Sequence, residues 1–174
     1  MNLQWVHTSD LESAGQSGTH FFMSQVLDLP TFTWNAIINN HERCYTDNSE
    51  WMGQKINGIG YMMGGWLDNH IMNGDLREVA GPIRDELRTF KEAREYTTHL
   101  YCSLGPQAKT FGKHRDKADV FFVPIIGKVT MKVWDSKVHK YNMTPGDVLY
   151  IPAGMDHSSE PVEPRASFSF GLDF

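Results

Sequence analysis

The segment "FGKHRDKADVFF", residues 111–122, sets His114 two positions before Asp116, interleaved with Lys113, Arg115 and Lys117. On an extended strand, side chains i and i+2 share a face, so this imidazole and carboxylate can meet one ion while the three cations turn to water. A third ligand is needed, and His157 in "PAGMDHSSE" is the best candidate, placed by a Pro-Ala-Gly turn. Two imidazoles and one carboxylate on one side of a metal leave its other side open. That is the facial arrangement at which non-haem Fe(II) takes a 2-oxo acid and O2. Asp119 and Asp156 lie close by, but Asp156 immediately precedes His157 and should point away on an extended chain. By itself H-x-D is a weak motif, because charged strand ends produce it without any metal. The other histidines, His7, His20, His41, His70, His99 and His139, are expected to be surface or hydrogen-bonded core imidazoles.

Eight residues past His157, "RASFSF" places Arg165 and Ser167 on one strand face. A guanidinium fork matches a carboxylate bidentately, and a serine hydroxyl adds a further donor. Taken alone, Arg165 is a strand-edge arginine paired with Glu163 or solvent. In the order H-x-D, then His, then R-x-S, it becomes a clamp for the far carboxylate of a dicarboxylic 2-oxo acid. Tyr101, Phe111, Phe122 and Trp134 could line the pocket between, and Tyr101 is grouped with Arg165 and Ser167 as a cosubstrate contact. Taken one by one, these aromatics read more readily as ordinary barrel core.

These groups need a scaffold that brings residues 114, 157 and 165 to one place. From Tyr96 onward, "YTTHLYCSL", "DVFFVPII", "KVTMKVWD", "DVLYIP" and "ASFSFGLDF" are short, rich in aromatic and β-branched residues, and separated by turn residues. Gly127 and Pro145-Gly146 mark turns between them. Close-set strands of this kind indicate an antiparallel sandwich or barrel. Before residue 95, "TFTWNAIINNHERC" and "NGDLREVAGPIRDELRTFKEARE" carry helical spacing, the second interrupted at Gly81-Pro82. The glycine-rich "INGIGYMMGGWLDN" between them has no assignable periodicity.

The chain has 174 residues, a natural size for one domain, 1–174. Its net charge of -5 argues against nucleic acid or an anionic membrane as the main partner. The opening "MNLQWVHTSDLES" lacks the plan of a signal peptide, and no apolar run could span a bilayer, so a cytoplasmic protein is expected. Cys44 and Cys102 are too few and too far apart for a disulfide framework, and both read as free thiols, Cys102 buried in a strand.

With those residues in view, 99–172 resembles the Fe(II)/2-oxoglutarate-dependent oxygenases, most closely their cupin-like JmjC branch, which includes ribosomal-protein hydroxylases. "PGDVLYIPAG" ahead of a histidine is the most specific element, although metal cupins of other activities carry similar wording. The resemblance implies a mainly β fold with N-terminal helices: a double-stranded β-helix, jelly-roll or cupin barrel, over 96–174, buttressed by a helical 1–95. It implies Fe(II) on His114, Asp116 and His157, 2-oxoglutarate and O2 as cosubstrates, and succinate and CO2 as products. The substrate would be a protein side chain or a small molecule. One position departs from the pattern. JmjC hydroxylases usually hold the distal carboxylate with a lysine two residues after the turn glycine, and here that residue is Val129. The anchor is therefore assigned to Arg165 with Ser167, as in other 2-oxoglutarate oxygenases, leaving Lys128 and Lys132 as the fallback. Two other classes stay open: a metal cupin that does not use 2-oxoglutarate, and a binding module that has kept the fold alone. The sequence stops at Phe174, so the dimerisation and winged-helix regions of larger ribosomal-protein hydroxylases are expected to be absent. "GIGYMMGGW" and Trp51 are expected, by position, to form a substrate-facing wall.

Overall fold

The computed structural model describes residues 13, 16–38, 54–57, 60–63, 80–81, 83–84, 95–108 and 110–173. Ten strands are described: β1 (Phe21–Met23), β2 (Gln54–Asn57), β3 (Gly60–Met63), β4 (Glu95–Ser103), β5 (Asp119–Ile126), β6 (Val129–Trp134), β7 (Val138–Met143), β8 (Val148–Ile151), β9 (Asp156–Pro161) and β10 (Arg165–Asp173). They form two sheets, β1-β8-β5-β10-β4-β3-β2 and β7-β6-β9, with every named pairing antiparallel. Of the two forms the strand pattern left open, sandwich or barrel, this is a mainly β barrel, in the double-stranded form that the resemblance implies.

Side-chain alternation divides the interior in two. On the smaller sheet, β6 buries Val129, Met131 and Val133 and turns Thr130, Lys132 and Trp134 outward. The buried set joins Val120, Phe122, Met143, Leu149 and Ile151 in the core between the sheets. The opposite face of β5, with Phe121 and Val123, joins Leu100, Phe168 and Phe170 in a second core. That core is roofed by Leu27, Ile37 and Ile83 from the N-terminal half. β5 is therefore buried on both faces, which is why it reads as a continuous apolar run rather than an alternation. Pro124, which has no N–H to donate, sits where the β5–β10 register slips between Ala166 and Ser167, the sort of irregularity that tolerates proline.

The N-terminal half contributes more than helices. Residues 34–38, 80–81 and 83–84 are helical, so Gly81 lies within a helical segment, while β1, β2 and β3 all precede residue 95 and widen the larger sheet. β3 and the end of β2 fall in the stretch whose periodicity was unassignable. Cys102 is buried in β4 as a free thiol, as expected. Cys44, Trp51, His7, His41 and His70 lie outside the described residues. Among the described residues, no helix is long and apolar enough to cross a membrane.

Two connections hold the frame. Gly127 turns β5 into β6 at φ +69°, and a Cβ there would stand 2.1 Å from the Pro164 carbonyl oxygen. Asp147, buried after the Pro145-Gly146 turn, accepts from the backbone amides of Gln25 (2.9 Å) and Thr144 (2.8 Å), fastening the chain after β1 to the β7–β8 turn.

Candidate metal and cosubstrate site

His114 and His157 meet across an isolated antiparallel bridge, exchanging backbone hydrogen bonds of 3.0 and 2.9 Å. Residues 111–118 are otherwise irregular, so H-x-D stands on a single bridge and not on the strand that its alternation predicts. The bridge is enough. The two imidazole centroids are 4.4 Å apart, and Asp116 reaches both: Oδ2 is 3.3 Å from His157 Nε2 and Oδ1 is 3.9 Å from His114 Nε2.

The backbone fixes which nitrogen faces inward. His114 Nδ1 lies 2.9 Å from the Gly112 carbonyl, and His157 Nδ1 lies 3.0 Å from the Met155 carbonyl. A carbonyl only accepts, so each Nδ1 carries a proton and each Nε2 is the nitrogen turned towards Asp116. The His157 contact, ahead of the opposing cost of burial, holds the Asp116 carboxyl below its ordinary range and keeps it anionic. Two imidazole nitrogens and a carboxylate oxygen within reach of one another make a donor set suited to a divalent transition metal.

The turn that delivers His157 is braced from beneath. Buried Asp119 accepts from the Ala153 amide and the Tyr150 hydroxyl, both at 2.8 Å. Asp156 points away as parity requires. It takes Arg115 Nε at 2.5 Å and Lys113 Nζ at 3.0 Å, and this cationic company holds its carboxyl far below the ordinary range. Lys113 and Arg115 thus form an outer ion-pair layer behind the candidate ligands, with Lys113 also resting 4.8 Å from the Trp134 ring centroid.

One pocket joins His114, Asp116 and His157 to Tyr101, Phe111 and Arg165. Arg165 and Ser167 open β10 and are 2% and 0% exposed. Arg165 Nε and Nη1 and Ser167 Oγ have no hydrogen-bond partner. Burial pulls the Arg165 guanidinium down to about 10, which still leaves it cationic at neutral pH. A buried cation with unused donors, beside a pocket, fits an anionic group such as a carboxylate. Tyr101, opposite Ser167 in the β4–β10 register, has its phenol pushed up to about 12, chiefly by burial and then by Asp116. It stays a hydroxyl donor through the neutral range.

Several sequence expectations change here. Lys128 is exposed and Lys132 pairs with Glu160, so neither fallback lysine faces the pocket; Val129 is fully buried in the inner core. Trp134 stands on the outer face of β6, because it alternates with the inward Val133. Phe122 and Phe111 do line the pocket, with Phe111 48% exposed at its mouth. The residues missed were the supports: Asp119, and Thr110, whose hydroxyl donates to the Ser159 carbonyl at 2.9 Å. Thr110 carries no distinctive spacing, whereas the isolated carboxylate before the apolar run of β5 was a usable signal for Asp119.

The JmjC domain family matches residues 130–174, the stretch from β6 to the end of the chain. A probable ribosomal oxygenase of Haemophilus influenzae is 30% identical over 96 residues, which are 43% of this chain and 24% of that protein. The Escherichia coli ribosomal oxygenase YcfD, solved with cobalt and succinic acid, superposes with a TM-score of 0.73 at 15% identity, over 97% of this chain and 52% of that one. A Pseudomonas putida prolyl-4-hydroxylase gives 0.62 at 12% identity, over 96% and 99%. At such identities the structural likeness speaks for the double-stranded barrel as a fold and for nothing finer. The chain spans about a quarter of the curated relative and about half of the YcfD chain.

Proposed function

We propose that the chain is an Fe(II)- and 2-oxoglutarate-dependent oxygenase that hydroxylates a C–H bond. In this reading His114, Asp116 and His157 hold the metal, and Arg165 with Ser167 holds the distal carboxylate of 2-oxoglutarate. The observation that carries it is the buried Arg165, with two unpartnered nitrogens, lining the same pocket as the three convergent ligands. A metal cupin whose ligands carry no anionic group has no use for that cation.

Bound iron supplies the redox chemistry, coupling O2 and the oxidative decarboxylation of 2-oxoglutarate to substrate oxidation, with succinate and CO2 as products. The chain's own groups bind and orient. The Nδ1 protons of His114 and His157 are occupied by backbone carbonyls, so their Nε2 lone pairs stay available for the metal. Arg165 and Ser167 fix the far end of the cosubstrate, and Tyr101 offers a further hydroxyl donor beside them. Val120, Phe122, Met131 and Ile151 line the pocket and keep water from its walls. Phe111, exposed at the mouth with its ring centroid 5.8 Å from that of His114, is the first surface an entering substrate meets.

A protein side chain is the favoured substrate class, supported by the ribosomal-oxygenase names of the Haemophilus and YcfD relatives; a small molecule is the other. Anaerobic addition of Fe(II) and 2-oxoglutarate to the purified protein should give a visible metal-to-ligand charge-transfer band. Admitting oxygen should then release succinate. Absence of both overturns the reading.

A further inference from the structure

A second cluster of ligand-type side chains lies across the barrel from the first. His20, just before β1, stacks edge-on against His139 of β7 at 4.5 Å between centroids and 63°, close to the 4.4 Å and 56° of the His114–His157 pair. A carboxylate again sits between them. Asp135 Oδ2 is 3.0 Å from His139 Nε2 and 3.9 Å from His20 Nδ1, so the distances parallel those around Asp116.

Hydrogen bonding leaves part of this cluster unexplained. Asp135 Oδ1 is taken up by its own turn, accepting from the Lys137 amide at 2.9 Å and the Ser136 hydroxyl at 3.3 Å, which leaves Oδ2 facing the imidazoles. His20 is 8% exposed, and its Nδ1 is buried with no hydrogen-bond partner, since 3.9 Å is beyond hydrogen-bond reach. Its other nitrogen, Nε2, lies 2.8 Å from the Tyr141 hydroxyl. With the hydroxyl accepting from Nε2–H, the lone pair of Nδ1 points at the carboxylate. That is the outer-sphere arrangement that sets the tautomer of a metal-bound histidine.

We propose that His20, Asp135 and His139 form a second metal site, for a borderline divalent ion such as Zn2+, that ties the chain entering β1 to the β6–β7 hairpin. Two imidazole nitrogens and one carboxylate oxygen are the donors such an ion prefers. β1 is an edge of the larger sheet and β7 an edge of the smaller, so the ion would clip the seam where the barrel is otherwise joined by side chains. Val133 of β6 pairs with His139 on one side and His157 on the other. Two strand spacings, roughly 10 Å, therefore separate the backbones of the two sites. The assignment does not depend on the oxygenase reading.

Metal-free protein should be titrated with ZnCl2, and bound zinc counted by calorimetry and by elemental analysis after desalting. Wild-type protein is expected to take up two equivalents, and His139→Ala and His157→Ala one each. The His157→Ala protein isolates the second cluster, so that arm is unaffected if the oxygenase assignment fails. No zinc bound by His157→Ala, or an uptake by His139→Ala equal to that of wild type, would overturn the site. Should His139→Ala not fold, Asp135→Asn on the exposed turn replaces it and should lose the same equivalent.

Discussion

Arg165 illustrates what one side chain can settle. A guanidinium that is 2% exposed, with Nε and Nη1 unpartnered, is costly to keep unless a ligand uses it. Removing it takes away charge-assisted hydrogen bonds worth ~1.5–3 kcal/mol, so Arg165→Ala should weaken 2-oxoglutarate binding by roughly ten- to a hundredfold. Calorimetry on the Fe(II)-loaded protein would measure this, and Fe(II) affinity itself should barely change. Phe111 separates from it cleanly. At the pocket mouth, Phe111→Ala should raise the KM of the primary substrate several-fold while leaving 2-oxoglutarate affinity as it was; an equal effect on both would refute its place at the entrance.

At the scale of elements, the turns carry specificity that the strands do not. Gly127 combines a left-handed φ with a 2.1 Å approach to the Pro164 carbonyl, so alanine there strains the backbone and collides with it. Strain of this kind costs ~1–3 kcal/mol, and Gly127→Ala should lower the melting temperature by several degrees in a calorimetric scan. The turn abuts Pro164, next to Arg165, so the substitution should also weaken cosubstrate binding.

Which strands the sequence revealed follows from what their inner faces do. β5, β6, β8 and β10 pack apolar residues inward and were legible as strands. β7 ("VHKYNM") and β9 ("DHSSEP") were not, because their inward positions hold His139 and Tyr141 in one and His157 and Ser159 in the other. A strand that spends its buried face on chemistry loses the apolar alternation by which strands are recognised. The H-x-D parity argument set His114 and Asp116 on one strand face, whereas a single bridge, not a strand, sets His114 beside His157. The His20–Asp135–His139 cluster was hidden because His20 precedes the other two by 115 and 119 residues and joins them only when the sheet edges meet.

For the molecule as a whole, buried acids make alkaline pH the informative axis. Burial raises Cys102 from 9.0 to about 12, against a lowering by Arg165, and raises Tyr101 from 10.0 to about 12. Both folded values lie above the unfolded ones. Their contribution is therefore intact below about pH 9 and is lost as pH rises towards 12, where the unfolded chain releases protons that the folded one retains. Denaturation midpoints should hold steady from pH 7 to 8.5 and fall beyond. At pH 8 the Cys102 peptide should resist iodoacetamide in the native protein and react after unfolding, as mass spectrometry would show.

His114 and His157 each bond through Nδ1 to the carbonyl two residues earlier, of Gly112 and Met155. Every amino acid possesses that carbonyl. The proton placement that the proposed metal site asks of both imidazoles is thus written into the path of the main chain, and side chains around the site can drift without erasing it. A lineage could remodel the pocket walls for new substrates while inheriting the same pair of lone pairs, provided the two short turns keep their course.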